Sequence, residues 1–391
     1  MLANIHPWVP LVGARRSPHD GDDAMDATCS RGLEMAWHAD MPPSPVVGPG
    51  EVTGSMWMPS QPPTPERVLA WHRQPIPVMP LICLLLLLIY GASLVALYRR
   101  GIRWPIHRSI FWLAGVISVL MVTATALDGY GMALFSIHMV QHMVLNMLSP
   151  VFLVLGAPVT LLLCALPVDA GRRGLIRRRI LRLLHTRAMA ILMHPGMTFF
   201  LFIMSLYGLY YTPAFDYLMV TWWGHNLMLL IFLLIGFIYF WAVLGIDPSP
   251  RTFRRGKRML SDPVMAVLEL AATAPFHAFF GVVVMMSTTM LVGFYSMPMY
   301  SWQASPLTDQ VTGGAIAWTF MELPTLLVLM ALVRKWQKSD ERRTRAAERQ
   351  MGGAADADLV AYNSYLRTLN STDSAQHRQE PADPTLKGRR P

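Results

Sequence analysis

The chain has 391 residues, of which 53% are hydrophobic and only 15% are charged, and its net charge is +9 at pH 7. This balance excludes an ordinary soluble globular domain and is typical of a polytopic membrane protein. The three cysteines, Cys29, Cys83 and Cys164, share no CxxC spacing, so the sequence indicates neither a disulfide framework nor a thiolate metal site.

The two ends of the chain differ in composition from its middle. Residues 1–77 are rich in Pro, Gly, Ser and acidic residues, which predicts a disordered extracytoplasmic tail. Because this segment lacks the hydrophobic core of a signal peptide, part of it is a candidate for an over-extended translation start. Residues 337–391 are highly charged and then rich in Gly, Ala and Pro, which predicts a disordered cytoplasmic tail.

Seven apolar stretches lie between these tails, within residues 78–336. A membrane-spanning helix needs about 20 mostly apolar residues. The stretches that approach or exceed this length lie near 79–98, 109–127, 133–155, 196–213, 223–245, 264–292 and 312–333. The predicted fold is therefore an all-α membrane protein, a bundle of seven transmembrane helices.

Basic residues alternate between the predicted loops. Arginines and lysines follow the first, third, fifth and seventh spans, whereas the intervening loops contain Asp128, Asp216 and Asp309 and no Lys or Arg. The positive-inside rule then places the N-terminus outside and the C-terminus in the cytoplasm. The positive net charge is therefore explained by loops at the inner membrane surface and does not indicate binding to nucleic acid. We expect a multi-pass protein of the plasma membrane.

The stretch "SIHMVQHMVLNMLSP" carries polar side chains inside the third predicted span. His138, His142 and Asn146 are spaced at i, i+4 and i+8, so they share one side of a helix, with Gln141 on the same strip. Met143 belongs to a neighbouring strip of methionines. Ionisable residues within a membrane nearly always face the bundle interior and mark functional sites.

A second polar strip lies on the sixth predicted span. Glu269 and His277 are eight residues apart and share one side of that helix, and Met285 continues the line. His225 and Asn226 stand at the start of the fifth span. Given the predicted orientation, all the histidines of these spans lie toward the outer side of the membrane.

Four histidines are therefore expected to converge on the outer half of the bundle: His138, His142, His225 and His277. Imidazole suits copper and thioether sulfur selects Cu(I), so these four are the candidate metal ligands, unless they only hydrogen-bond between helices. Glu322, in the seventh span, is expected to pair with a histidine or with the metal. We expect Glu269 to bond to Thr273 or to a neighbouring helix, and Asp128 and Asp309 to be supporting polar residues.

Six segments, in order along the chain, together carry a resemblance to a known family. They are "YGASLVALYRRG", "FSIHMVQHMVLNMLSPVFLVLGAPVTLLL", "HNLMLLIFLLIGFIYFWAVLGIDPSP", "HAFFGV", "YSMPMY" and "DQVTGGAIAW". The set resembles the CtaG family of membrane proteins, which are required to assemble haem-copper cytochrome c oxidase, and covers about residues 70–336. Some relatives have a second histidine one turn after His225, where this chain has Leu229, so the fifth span keeps one candidate ligand.

The resemblance implies a non-catalytic assembly factor that handles or delivers copper on the outer side of the membrane. Its partners would be cytochrome c oxidase subunits and the lipid bilayer. Two other classes stay open: a membrane haem protein with axial histidines from two helices, and a transporter of copper or another small solute. The unequal predicted depth of His138 and His277 disfavours haem, and the absence of an internal repeat in the sequence disfavours a transporter.

Overall fold

The computed structural model describes residues 56–72, 74–167, 172–250 and 262–379, and these residues are helical without β-strands. In chain order the helices are α1 (Pro65–Val68), α2 (Val78–Tyr98), α3 (Ile106–Thr123), α4 (Leu127–Ala133), α5 (Phe135–Met143), α6 (Ser149–Leu155), α7 (Pro158–Ala165), α8 (Arg172–Leu184), α9 (Arg187–Leu192), α10 (Pro195–Tyr210), α11 (Ala214–Met219), α12 (Trp222–Leu244), α13 (Asp262–Met286), α14 (Pro306–Phe320) and α15 (Glu322–Gln379). A π-helical segment, Val144–Leu148, joins α5 to α6, and a 3-10 turn, Gly293–Tyr295, precedes α14.

Six helical segments within the described residues are long and apolar enough to cross a membrane. They are α2, α3, the α5–α7 segment Phe135–Ala165, α12, Val264–Met286 of α13, and Pro306–Arg349 of α14 and α15. The fourth predicted stretch forms α10, which is apolar but has only 16 residues. The all-helical, multi-pass architecture is thus confirmed, whereas the count of seven spans and the orientation of the termini stay predictions.

The α5–α7 segment and α12 are the most deeply buried of these spans. At Gly236, α12 approaches the π-helical segment so closely that a side chain would meet the backbone carbonyl of Asn146. Helices α13 and α14 cross in the same way at Gly281 and Gly314, where a side chain on either glycine would meet the backbone of the other. Small residues permit such close crossings in membrane bundles, and here they set α12 directly against the third predicted span.

Buried aspartates cap helix N-termini from distant parts of the chain. The Asp309 carboxylate accepts a hydrogen bond from the backbone N–H of Phe135 at 2.6 Å, and further bonds from the backbone N–H and hydroxyl of Ser136. Asp247, after α12, accepts a bond from the backbone N–H of Thr160 at 2.8 Å, at the start of α7. The first N–H groups of a helix lack partners within it, and a carboxylate there is favoured by the helix dipole. These bonds fix α5 and α7 where no local side chain caps them.

Residues 56–72 and 74–77, part of the predicted N-terminal tail, make contacts with one another and with the helical region. The rings of Trp57 and His72 stack with their centres 3.7 Å apart, and the backbone of Trp57 exchanges two hydrogen bonds with the Gln74 side chain. The Tyr130 hydroxyl of α4 donates to the carbonyl of Gln61. Ring stacking and hydrogen bonds thus connect this segment to α4 of the helical region. Residues 1–55, including Cys29, lie outside the described residues.

The C-terminal part of the described chain continues the last predicted span. Helix α15 runs to Gln379, far beyond the predicted end of that span. Disorder of the tail stays a prediction, and residues 380–391 lie outside the described residues.

Candidate functional site

His138 on α5 and His225 on α12 form a pair of buried imidazoles. Both side chains are fully buried, and their ring centres lie 6.3 Å apart. None of their four ring nitrogens has a hydrogen-bond partner among the described residues. A buried polar atom without a partner costs about 1–3 kcal/mol, and in a native protein a bound ion or water is one explanation for such an atom.

The separation of the two rings suits a single ion held between them. With metal–nitrogen bonds of about 2 Å and ring nitrogens about 1 Å from the ring centre, two imidazoles on opposite sides of one ion have their centres about 6 Å apart. Within the described part of the chain, no group of three or more His, Cys, Asp or Glu side chains is arranged to hold a metal. Structural Zn(II) sites take four ligands, whereas soft ligands and imidazole suit Cu(I).

Aromatic rings surround His138 of this pair. The ring of Phe215 lies 5.0 Å from that of His138, and the rings of Tyr210, Phe232 and Tyr295 lie 6.1, 6.3 and 6.4 Å away. These four rings belong to α10, α11, α12 and the turn Gly293–Tyr295. The His138 imidazole is therefore bordered by aromatic side chains from four elements.

Helix α11 and the turn Gly293–Tyr295 carry two of these rings, Phe215 and Tyr295, and we call these two elements the lid. The Asp216 carboxylate of α11 accepts hydrogen bonds from the backbone N–H groups of Gly293 and Phe294, at 3.2 and 2.9 Å. This bond pair ties the element that carries Phe215 to the element that carries Tyr295.

His142 lies next to the pair but has partners of its own. Its Nδ1 atom is 2.8 Å from the Tyr210 hydroxyl, and its ring stacks on Phe232 with centres 3.9 Å apart. Its Nε2 atom is 3.4 Å from the Asn146 amide nitrogen, which also donates to the Ser205 hydroxyl. The predicted helix face of His142 and Asn146 therefore exists, but it forms a hydrogen-bond network between α5, the π-helical segment and α10.

His277 faces a different part of the bundle. Its ring centre lies 6.3 Å from that of Phe202, and both of its ring nitrogens lack partners among the described residues. It opens onto a small cavity that Met147 and Met321 also line. The four histidines therefore do not form one cluster. His138 and His225 lie side by side without hydrogen bonds among the described residues, His142 is hydrogen-bonded, and His277 lies at a separate cavity.

Gln141 and Asp128 form a polar contact away from the pair. The Gln141 amide donates to the Asp128 carboxylate at 3.0 Å and to the Val122 carbonyl at 2.9 Å. The Gln141 side chain therefore contacts the end of α3 and the start of α4 rather than the histidine pair. Burial raises the pKa of Asp128 from 3.8 to about 7, and hydrogen bonds from Gln141 and Gln74 oppose this rise.

The two membrane glutamates behave differently from each other. The Glu322 side chain is exposed at the start of α15, so the expected pairing with a buried histidine is not formed. The backbone carbonyl of Glu269 accepts hydrogen bonds from the hydroxyls of Thr273 and of Tyr239 on α12. These two bonds are made by the backbone of Glu269, so a bond from its carboxylate to Thr273 or a neighbouring helix stays a prediction.

The other predicted supporting residues serve local structure. Asn226 donates to the carbonyl of Trp222 within α12, Met143 is fully buried, Met285 is half-buried, and Asp309 caps α5 as described above. Tyr210, the partner of His142, was not predicted from the sequence. A tyrosine in an apolar span needs a hydrogen-bond partner for its hydroxyl, and this rule could have identified it as a candidate.

Comparison with known proteins identifies a family and several relatives of this chain. The model of the family described as cytochrome c oxidase caa3 assembly factor (Caa3_CtaG) matches residues 88–339. Uncharacterized proteins of Mycobacterium bovis and Mycobacterium tuberculosis are each 42% identical over 314 residues, which is 79% of this chain and 46% of theirs. One from Mycobacterium leprae is 41% identical over 285 residues, 72% of this chain and 42% of that protein. The chain thus spans less than half the length of these relatives, and no solved structure matches it.

Proposed function

The chain belongs to the cytochrome c oxidase caa3 assembly factor family, and we propose that it binds copper between His138 and His225 and delivers the ion to the oxidase during assembly. The observation that carries this proposal is the pair of fully buried imidazoles whose ring nitrogens lack partners among the described residues. In this proposal the protein carries copper as its cargo and has no catalytic role. Its partners in the proposal are oxidase subunits and the bilayer of the plasma membrane.

The alternative role of the histidines, as hydrogen bonds between helices, fits only one of them. His142 makes such a bond, to Tyr210 at 2.8 Å. His138 and His225 make none within the described residues, so they would cost stability in the absence of a ligand. This difference supports a ligand-binding role for the pair.

The surroundings of the pair favour a bare ion over haem. Two axial histidines of a haem stand on opposite faces of a flat macrocycle, which has to extend sideways between them. Around His138 that space is occupied by Phe215, Tyr210, Phe232 and Tyr295, all with ring centres within 6.4 Å. A single copper ion needs no such space.

We also propose that copper reaches the pair from the outer side of the membrane. The lid belongs to predicted loops that contain Asp216 and Asp309 and no Lys or Arg, whereas the arginine-rich helix Arg172–Leu184 belongs to a predicted cytoplasmic loop. Displacement of Phe215 or Tyr295 would admit the ion, and return of the ring would exclude water. The Asp216 bonds to the turn hold the two parts of this lid together.

The test compares histidine variants in a host strain that lacks the gene for this protein. We expect His138→Ala and His225→Ala to reach the membrane at normal levels, because neither removes a hydrogen bond within the described residues. Both should bind Cu(I) more than about tenfold more weakly and reduce oxidase activity at limiting copper. Added copper should partly restore activity by mass action.

A matched control is His194→Ala, since the His194 side chain is exposed and only accepts a bond from the backbone N–H of Gly196. This variant should retain both copper affinity and oxidase activity. Full oxidase activity at limiting copper in a normally inserted His138→Ala or His225→Ala protein would overturn the proposal.

A further inference from the structure

A cavity lined by sulfur, hydroxyl and imidazole groups lies apart from the histidine pair. It is enclosed by the π-helical segment, α10, α12, α13 and the junction of α14 with α15, and it has room for about one water molecule. Its polar and sulfur-containing lining includes His277, Met147, Met321, Thr273 and Thr325. An organic ligand is too large for this space, so its occupant is a water molecule or a single ion.

The imidazole of His277 is the unsatisfied group at this cavity. Its side chain is 1% exposed, and neither ring nitrogen has a hydrogen-bond partner among the described residues. The nearby Thr273 hydroxyl is already engaged, since it lies 2.8 Å from the Tyr239 hydroxyl and donates to the carbonyl of Leu270. His277 is therefore open to a ligand, in contrast to the hydroxyl one turn before it.

Two methionines reach the same cavity from irregular points of the backbone. Met147 belongs to the π-helical segment Val144–Leu148, and Met321 occupies the junction between Phe320, where α14 ends, and Glu322, where α15 begins. π-helical segments in α-helices occur frequently at functional sites. Thioether sulfur is a weak hydrogen-bond acceptor, but it is a ligand that selects Cu(I).

We propose that His277, Met147 and Met321 form a second Cu(I) site, separate from the His138–His225 pair. This inference rests on the proposed copper role of the protein and extends it to two binding sites. One imidazole and two thioethers supply soft, neutral ligands, which suit a monovalent ion in a low-dielectric bundle better than a divalent one. The protein would then bind two copper ions at two separate sites.

The test uses the full-length protein in detergent, titrated with Cu(I) against a chromogenic Cu(I) chelator. The wild type should bind two Cu(I) ions per chain, and X-ray absorption at the copper edge should show sulfur as well as nitrogen neighbours. The double variant Met147→Leu with Met321→Leu should bind one ion and lose the sulfur signal. Exchange of Met for Leu nearly conserves volume and costs less than about 1.5 kcal/mol, so folding should be retained.

The matched control is the double variant Met139→Leu with Met143→Leu. Both methionines are fully buried on the same helical segment but do not line the cavity, so this protein should still bind two ions with sulfur neighbours. Wild-type protein without copper–sulfur signal would overturn the second site and leave water as the occupant of the cavity. Unchanged stoichiometry in the variant of Met147 and Met321 would overturn it as well.

A third variant separates this inference from the proposed function. His138→Ala with His225→Ala should retain one Cu(I) with sulfur neighbours if the second site exists. If this variant instead binds two ions, the pair is not a copper site and the proposed function fails, although the sulfur signal still supports the second site.

Discussion

Replacement of Asp128 with Asn is expected to stabilise the protein at alkaline pH, although it removes a buried carboxylate that accepts a hydrogen bond. The Asp128 side chain is only 5% exposed. Burial raises its pKa from 3.8 to about 7, and the hydrogen-bonding side chains of Gln141 and Gln74 that oppose the rise are both neutral. The charged form of Asp128 is therefore disfavoured in the folded protein.

The sign and size of the effect follow from this pKa. A carboxyl group with a higher pKa in the folded state binds its proton more tightly when folded. The contribution of Asp128 to the free energy of unfolding is therefore greatest below about pH 4 and is lost as the pH rises to about 7. At about 1.4 kcal/mol per pKa unit, the rise from 3.8 to about 7 corresponds to about 4 kcal/mol. About 3 kcal/mol of this is lost between pH 5 and pH 8.

The assay is the free energy of unfolding of the detergent-solubilised protein between pH 5 and pH 8. The Gln141 amide can still donate to the side-chain oxygen of Asn, so the variant keeps this contact. Its stability relative to wild type should rise by about 3 kcal/mol across this range. Thr125→Val, which alters a buried but non-titrating neighbour, should shift stability equally at every pH, and a pH-independent difference for Asp128→Asn would refute the reasoning.

The remaining predictions concern topology and helix capping. A reporter enzyme that is active only in the cytoplasm should be active when fused after Lys338 and silent near Asp216, because basic loops face the cytoplasm; the reverse pattern would contradict the predicted orientation. Asp309→Ala leaves three donors at the start of α5 without their acceptor, each worth about 1 kcal/mol or more, so it should lower the free energy of unfolding by about 3 kcal/mol. Asp309→Asn keeps one acceptor oxygen and should lose less, and an equal loss for Ala and Asn would argue against the capping role.

The sequence alone determined the class of the protein and the burial of its histidines. Apolar stretches of about 20 residues have few stable alternatives to membrane-spanning helices, and six such segments are present in the structure. Ionisable groups avoid lipid, and His138, His142, His225 and His277 are all buried. Helical periodicity also placed Asn146 on the same face as His142, where the two side chains meet.

Only the tertiary structure decided which of these groups remains open to a ligand. Periodicity fixes the side of a helix to within a wide sector, so it did not show that Gln141 turns toward Asp128 or that the Glu322 side chain is exposed. His138 and His142 share a helix face, yet Tyr210 satisfies one and leaves the other unpartnered. The physical reason is that a partner for a buried polar atom comes from a neighbouring helix, whose depth and rotation depend on packing across the whole bundle rather than on local sequence.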